Sequence, residues 1–308
     1  MEQIKNVYLI GLGAIGGAYG SRIMENCPES LQIVVDADRA ERYGKAGVTV
    51  NGQAYPFRYI TPEHISENAD LILIAVKQHH LAETIENIRR LVGSDTIILS
   101  LLNGISSEEI LGKEFGADKM LYSFCVGTDA VRVETDIRFS NTGRIVFGDN
   151  SSEKSAKVAA VREYFDRSQV PYEVPEDIMR ELWWKFMLNV GVNQVSAVLR
   201  APYGELIRED HARELMFDAS REVIAISHKA GIRLSEEDIQ KYARIIAALS
   251  PEGKPSMLQD VEAGRKTEVE IFSGTVIELG QKYGVATPVN DMLFRLLKAI
   301  EQIRRQSS

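Results

Sequence analysis

The sequence predicts an α/β fold in two parts: a doubly wound, mostly parallel sheet domain over residues 1–174, followed by an all-helical C-terminal domain over residues 175–308. Three observations predict it. Short apolar runs rich in Val, Ile and Leu alternate with helical patterns through the first part, as expected of strands buried on both faces and joined by crossovers. A glycine-rich turn joins the first of these runs to a helical pattern. After Pro175 the apolar residues recur at helical spacing, almost without strand patterns.

With 308 residues, 44% of them hydrophobic, the chain can bury a sizeable core, and its length suits two domains better than one. The runs "NVYLIG", "LQIVVD", "ADLILIAVK" and "TIILSLLN" are expected to be buried strands. "KMLYSFCVG", "VRVETDIRF" and "GRIVFGD" alternate without intervening helices and suggest an antiparallel extension of the same sheet. The helix "SEKSAKVAAVREYFDRS", from residue 152, and a short strand near "VPYEV" then close the domain. No internal repeat is present, and the longest glycine- and proline-rich break is "LSPEGKPSM" at 249–257.

The formal net charge of −8 leaves no electrostatic footprint for nucleic acid. The two cysteines, Cys27 and Cys125, are too few for a disulfide framework and fit a reducing compartment, so a cytoplasmic protein is expected. The N-terminal "MEQIKNVYLIGLGAIGG" lacks a cationic segment leading into a long apolar one, and no apolar span reaches the roughly 18 residues of a membrane helix. Neither secretion nor membrane association is expected. His79 and His80 are adjacent and point in different directions on a helix, and no other spacing resembles a metal site, so no metal is expected.

"YLIGLGAIGGAYG" places Gly11, Gly13 and Gly16 in G-x-G-x-x-G, with Ala14 and Ile15 between the last two, directly after a strand and at a helix start. Gly11 allows the tight turn, Gly13 lets the backbone approach a pyrophosphate, and Gly16 permits close helix-to-strand packing; the helix N-terminus attracts the negative charge. In that context the pattern points to a Rossmann-type dinucleotide site. Asp36 ends the second strand, where an acidic side chain usually accepts from the adenosine ribose hydroxyls; it could equally cap the helix "ADRAERYGK". A carboxylate there would repel the 2′-phosphate of NADP unless Arg39 compensates. Lys77 and Asn103 close two further strands, at the carboxyl edge where such sheets bind ligands, or are solvated loop residues.

The segment "LWWKFMLNVGVNQVSAVL" at 182–199 is apolar apart from Lys185, Asn189, Asn193, Gln194 and Ser196. Four-residue steps set Lys185, Asn189 and Asn193 within roughly 80° of one another, one polar stripe on a helix that otherwise reads as buried. In "SMLQDVEAGRKTEVEIFSGTVIELGQKYG" Val261, Phe272, Val276 and Leu279 share one helical face, and Glu268 falls within that apolar stripe. Arg265 is a ready structural partner for it, and Ser256 with Gln259 reads as a capping box.

Together "GLGAIG", the strand-end Lys77, "LNG" at 102–104, "LWWKFMLNVGVN" and "SMLQDVEAGRKTEVE" resemble the ketopantoate reductase (2-dehydropantoate 2-reductase) family over nearly the whole chain. The resemblance implies reduction of 2-dehydropantoate to D-pantoate, on the way to pantothenate, with a nicotinamide cofactor. It implies Lys185 as general acid and Glu268 as a second catalytic or substrate-orienting group. It also implies that Asn103, Asn189, Asn193 and Ser256 hold the nicotinamide end of the cofactor or the substrate. NADPH is the family's expectation, and NADH the alternative that Asp36 favours. Tyr203 in "VLRAPYGEL" stands where another polar substrate contact is expected, which keeps open an NAD-dependent D-2-hydroxyacid dehydrogenase acting on another branched or aromatic 2-keto acid. A redox sensor without turnover is the alternative of another class. The partner is a small 2-keto acid, and a homodimer is left open.

Overall fold

The computed structural model describes residues 3–150 and 155–307. Its contacts divide the chain into two compact units, Met1–Asn103 with Ser107–Ile178, and Gly104–Ser106 with Met179–Ser308.

The first unit contains β1 (Val7–Ile10), α1 (Ala14–Asn26), β2 (Leu31–Val34), α2 (Ala37–Ala46), β3 (Thr49–Val50), β4 (Gln53–Ala54), β5 (Tyr59–Ile60), β6 (Leu71–Ile74), α3 (Leu81–Ile88), β7 (Ile97–Ser100), α4 (Ser107–Phe115), β8 (Met120–Val126), β9 (Val131–Val133), β10 (Asp136–Arg138), β11 (Arg144–Gly148), α5 (Ala156–Ser168) and β12 (Tyr172–Glu173). Eight strands form one sheet in the order β12-β11-β8-β7-β6-β1-β2-β5, parallel except where β11 meets β8. Val7, Leu9, Leu71, Leu73, Ile97 and Leu99 bury one face with α1 and α5, whereas Tyr8, Ile10, Ile72, Ile74 and Ile98 bury the other with α3 and α4. That two-sided burial is why the strands read as unbroken apolar runs. The fold is a Rossmann-type doubly wound sheet.

Two sequence expectations need correction. "VRVETDIRF" does not extend the main sheet: it forms the antiparallel β9–β10 hairpin, and β10 pairs with β3 in a separate four-stranded sheet, β4-β3-β10-β9. Local alternation identifies a hairpin but not the sheet it joins. The helix expected from residue 152 begins at Ala156 behind Ser155, whose side chain accepts from the Val158 N–H; residues 152–154 lie outside the described residues.

After Glu173 the described residues contain no strand. The helices are α6 (Ile178–Leu199), α7 (Tyr203–Arg208), α8 (Asp210–Lys229), α9 (Glu236–Ala247), α10 (Ser256–Glu262), α11 (Ser273–Tyr283) and α12 (Pro288–Ser307). From Leu182 to Ala197 every residue of α6 except Lys185 is buried. The polar ones must therefore be met. Gln194, fully buried, accepts from the backbone N–H and hydroxyl of Ser273 at 3.1 and 2.6 Å and donates to Asn290 Oδ1 at 3.3 Å. Asn290 donates in turn to Glu222 Oε2 at 2.7 Å, and Glu222 accepts the N–H groups of Val289 and Asn290 at the start of α12, at 2.8 and 3.0 Å. One carboxamide thus joins α6 to α11 and α12, and a carboxylate on α8 completes the set.

Gln194→Leu should lower unfolding free energy by about 2–3 kcal/mol in urea titrations, since it removes the acceptor of the buried Ser273 N–H and hydroxyl and one of the donors to Asn290 Oδ1. A loss below roughly half a kcal/mol, the level of an ordinary surface change, would show that the network is dispensable.

Candidate active site

In the first unit one row of the sheet fixes the geometry. Val34, Ile10, Ile74 and Ser100 are register partners across β2, β1, β6 and β7. Asp36, the glycine loop, Lys77 and Asn103 all follow within a few residues, so four adjacent parallel strands deliver them to the same carboxyl edge. Because β1 is flanked by β2 and β6, the chain reverses its direction of winding there, the place where open α/β sheets bind ligands.

The loop itself brings backbone very close to backbone. Gly11 has φ +96°, and a Cβ on Gly16 would stand 1.9 Å from the Gly11 carbonyl oxygen, so the helix starts as close to the strand as backbone allows. A Cβ on Gly13 would meet nothing within 4 Å. Gly13 is the N-cap of α1, and no acidic residue occupies the first turn, which also contains Ala14 and Ile15. Open space before an uncompensated helix N-terminus suits a pyrophosphate. Asp36 caps α2: its Oδ1 accepts the Arg39 N–H at 2.6 Å, and its Oδ2 lies 3.4 Å from Arg39 Nε. Lys77 is half-buried and precedes a 3₁₀ turn, Gln78–His80.

Asn103 sits half-buried in the loop after β7. The base of that loop is closed by a 2.7 Å hydrogen bond between the Ser100 and Ser107 hydroxyls. Beside them is Glu108, fully buried, which accepts from Ser107 Oγ at 2.8 Å. Burial pushes its carboxyl up to about 7, although the Ser107 hydroxyl opposes the shift.

In the second unit Lys185 is the half-buried member of the α6 stripe, with Asn189 and Asn193 buried behind it at successive turns. Glu268 does not lie on a continuous helix as its spacing suggested. α10 ends at Glu262, Gly264 adopts φ +68°, the Gly264 N–H donates to Val261 O at 3.2 Å and the Arg265 N–H to Asp260 O at 2.9 Å. These are the two bonds of a Schellman stop. Glu268 instead precedes a 3₁₀ turn, Val269–Ile271, between α10 and α11, half-buried. Arg265 bonds Asp260 Oδ1 through Nε at 2.8 Å and so belongs to the helix stop. Ser256 is not an N-cap: Pro255 holds that position, Ser256 is the exposed first residue of α10, and the Gln259 amide donates to Lys254 O at 2.9 Å.

Sequence reasoning missed the anchor of this segment. Glu301 Oε1 accepts both the N–H and the hydroxyl of Thr267, at 2.8 and 2.6 Å, immediately before Glu268, and Lys298 lies 3.0 Å from its other oxygen. Burial pushes the Glu301 carboxyl up, yet the Thr267 bonds and the Lys298 ammonium outweigh it and hold it below its ordinary value. The signal was present: Glu301 continues the four-residue spacing of the buried Leu293 and Leu297. Among the described residues no three His, Cys, Asp or Glu side chains gather as metal ligands, and no helix is long and apolar enough to cross a membrane.

The model for ketopantoate reductase PanE/ApbA matches residues 7–152, and that for its C-terminal part matches residues 177–301. The chain belongs to the ketopantoate reductase family. Within the family it is 26% identical over 305 residues to the 2-dehydropantoate 2-reductase of Aquifex aeolicus, covering 97% of this chain and 98% of that one. Its fold is similar to a dimeric ketopantoate reductase from Staphylococcus aureus, with TM-score 0.83, 20% identity and coverage of 97% and 99%. It is similar also to D-mandelate dehydrogenase with NADH and anilino(oxo)acetate, with TM-score 0.89, 22% identity and the same coverage. Family membership makes the chain an oxidoreductase and implies a nicotinamide dinucleotide.

Gly13→Val should abolish measurable dinucleotide binding in a fluorescence titration while leaving the thermal midpoint nearly unchanged, whereas Gly16→Ala should destabilise by about 3 kcal/mol or more because backbone blocks its Cβ. The reverse order of effects would remove the ligand from this loop. Glu108 gives a pH signature. Its folded value of about 7 exceeds the ordinary 4.5, so its contribution to stability is complete below pH 4.5 and is lost as pH rises through 7. Glu108→Gln should therefore gain stability relative to the parent at pH 8 but not at pH 4, measured by urea unfolding; a gain independent of pH would contradict the burial.

Proposed function

We propose that this chain reduces 2-dehydropantoate to D-pantoate with NADPH, in the cytoplasm, and that residues 1–174 hold the dinucleotide while residues 175–308 supply the acid and the substrate groups. The observation that carries this is the stripe Lys185–Asn189–Asn193 on a helix whose residues from Leu182 to Ala197 are all buried except Lys185. An ammonium and two carboxamides are costly to withdraw from water, and a reaction that develops negative charge gives them a use.

A bound reduced nicotinamide supplies hydride to the keto carbon. The remaining chemistry falls to the chain. Lys185 stabilises the developing alkoxide and gives it a proton, so that hydride and proton together complete the alcohol. Asn189 and Asn193 orient the planar keto acid without adding charge. Glu268 accepts from a substrate hydroxyl, and Ser256 and Asn103 donate to the substrate carboxylate or the nicotinamide amide. Gly11, Gly13, Ala14, Ile15 and Gly16 carry the pyrophosphate, with Lys77 and Asp36 beside them. Arg39, on the outer side of Asp36, provides for the 2′-phosphate. The dimeric state named for the Staphylococcus aureus relative is the assembly we propose for this chain.

Two observations favour a second reading. Asp36 stands at the end of β2, and Tyr203 follows α6 with its phenol pushed up by burial. Both suit an NADH-dependent D-2-hydroxyacid dehydrogenase for a bulkier 2-keto acid. Steady-state kinetics with both cofactors against 2-dehydropantoate and aromatic 2-keto acids decides between them.

Lys185→Ala should lower kcat by about 100-fold or more with cofactor affinity retained, the usual contribution of a general acid. Glu268→Ala should lower kcat/KM with stability preserved or improved. Near-normal turnover with lost thermal stability in both variants would assign the pair to structure and defeat the mechanism.

A further inference from the structure

An arginine reaches the glycine loop from outside the β1–α1–β2 unit. β10 packs its Ile137 onto α1 at Gly17, where a Cβ would stand 2.1 Å from Ile137 Cδ1, and this sets the β9–β10 hairpin against the N-terminal part of α1. From β9, Arg132 donates through one terminal nitrogen to the carbonyl of Leu12, between Gly11 and Gly13. Through the other it donates to the Tyr43 phenol at 3.0 Å, and through Nε to Glu134 O at 2.6 Å. Its guanidinium carbon is 5.2 Å from the centre of the Tyr43 ring, and that of Arg42 is also 5.2 Å away. Burial pushes the Tyr43 phenol up, but the bond from Arg132 and the two positive charges outweigh it, so the phenol lies below its ordinary value.

Arg132 therefore bridges the turn after β1 to α2, the two segments between which a Rossmann-type sheet receives an adenosine. Tyr43 is seven residues after Asp36, two turns along the same face of α2, so the bridge stands on the α2 side of the loop. The pyrophosphate belongs instead to the N–H groups at the start of α1. A guanidinium has five N–H groups; three are engaged here, which leaves one on each terminal nitrogen. Among the described residues no carboxylate pairs with Arg132: Asp36 is engaged by Arg39 and the α2 cap, and Asp136 by Thr49 and Arg138.

We propose that Arg132 is a cofactor-specificity residue, which with Arg39 binds the adenosine 2′-phosphate of NADPH through its two remaining N–H groups. This rests on the glycine loop as the dinucleotide site. It also accounts for how Asp36 coexists with a phosphorylated cofactor: the carboxylate is turned into its own helix, and the charge that faces the ribose comes from the hairpin.

The test is titration of the full-length protein with NADPH, NADH and adenosine 2′-monophosphate, followed by fluorescence or calorimetry. Arg132→Ala should raise Kd for NADPH and for adenosine 2′-monophosphate by about 10-fold or more, the scale of a charge-assisted hydrogen bond, and Kd for NADH by less than about 3-fold. The loss should appear in KM for NADPH rather than in kcat. Arg132→Lys, which keeps the charge but not the planar fork, should fall between the two, and it decides the matter if the alanine variant melts early. Equal losses for NADPH and NADH would overturn the proposal and leave Arg132 as a brace for the loop, as would unchanged affinities. Wild-type preference for NADH would overturn it while leaving the glycine-loop site intact. Failure of the wild type to bind either dinucleotide would overturn the site itself.

Discussion

A helix withdrawn from water on nearly every side is the constraint around which the second unit is organised. α6 carries polar residues that an exposed helix could leave to solvent, and burial obliges each to be met within the protein or by a ligand. Gln194 and Ser196 are met internally, the first by Ser273 and Asn290 and the second by the Ala201 carbonyl at 2.6 Å. Gln194 lies on the opposite side of α6 from Lys185, Asn189 and Asn193, whereas Ser196 falls near their line, three turns beyond Lys185. The low-dielectric surroundings that make a misplaced polar group costly also strengthen a well-placed one toward developing charge. Burial is thus one physical demand on every polar residue of α6, whichever face it occupies.

In the first unit the equivalent constraint is register. Once Val34, Ile10, Ile74 and Ser100 align, everything placed a few residues beyond them shares one edge. This is why so much of the fold and of the shape of the glycine loop was legible in the sequence: the apolar runs that make the strands also end where the candidate site begins, and the glycines required by the close approach of α1 to β1 are the motif itself. The β9–β10 hairpin was not legible in the same way. Its placement depends on β10 pairing with β3, and the side-chain bond between Thr49 and Asp136 that accompanies it spans 87 residues. No local alternation encodes that, and the position of Arg132 was hidden with it.

The segment around Glu268 was half legible. The apolar positions at Val261, Phe272 and Val276 do face one core, and the periodicity survived because a 3₁₀ turn and a second helix follow the break without moving the apolar side away. The stop was nevertheless written in "VEAGRK", where a glycine stands two residues after the last helical position and a basic residue follows. Read as a helix end, it would have assigned Arg265 to Asp260 and left Glu268 in a short irregular stretch, held through Thr267 by Glu301. A loop fixed from a neighbouring helix can hold a carboxylate as firmly as a helix can, provided the anchor is itself satisfied.

The long sequence separations in the α6 network have a consequence for biosynthesis. Gln194 is made 79 residues before Ser273 and 96 before Asn290, the two distant partners of its carboxamide. At about 5–20 residues per second, a ribosome leaves α6 without them for on the order of 4 to 20 seconds. During that interval an apolar helix whose Gln194 carboxamide oxygen still lacks its Ser273 donors is exposed to whatever else the cell contains. Recovery of native protein should depend on what shields this helix while the C-terminal residues are still being added, so translation rate and chaperone supply become determinants of yield as real as any contact in the finished fold.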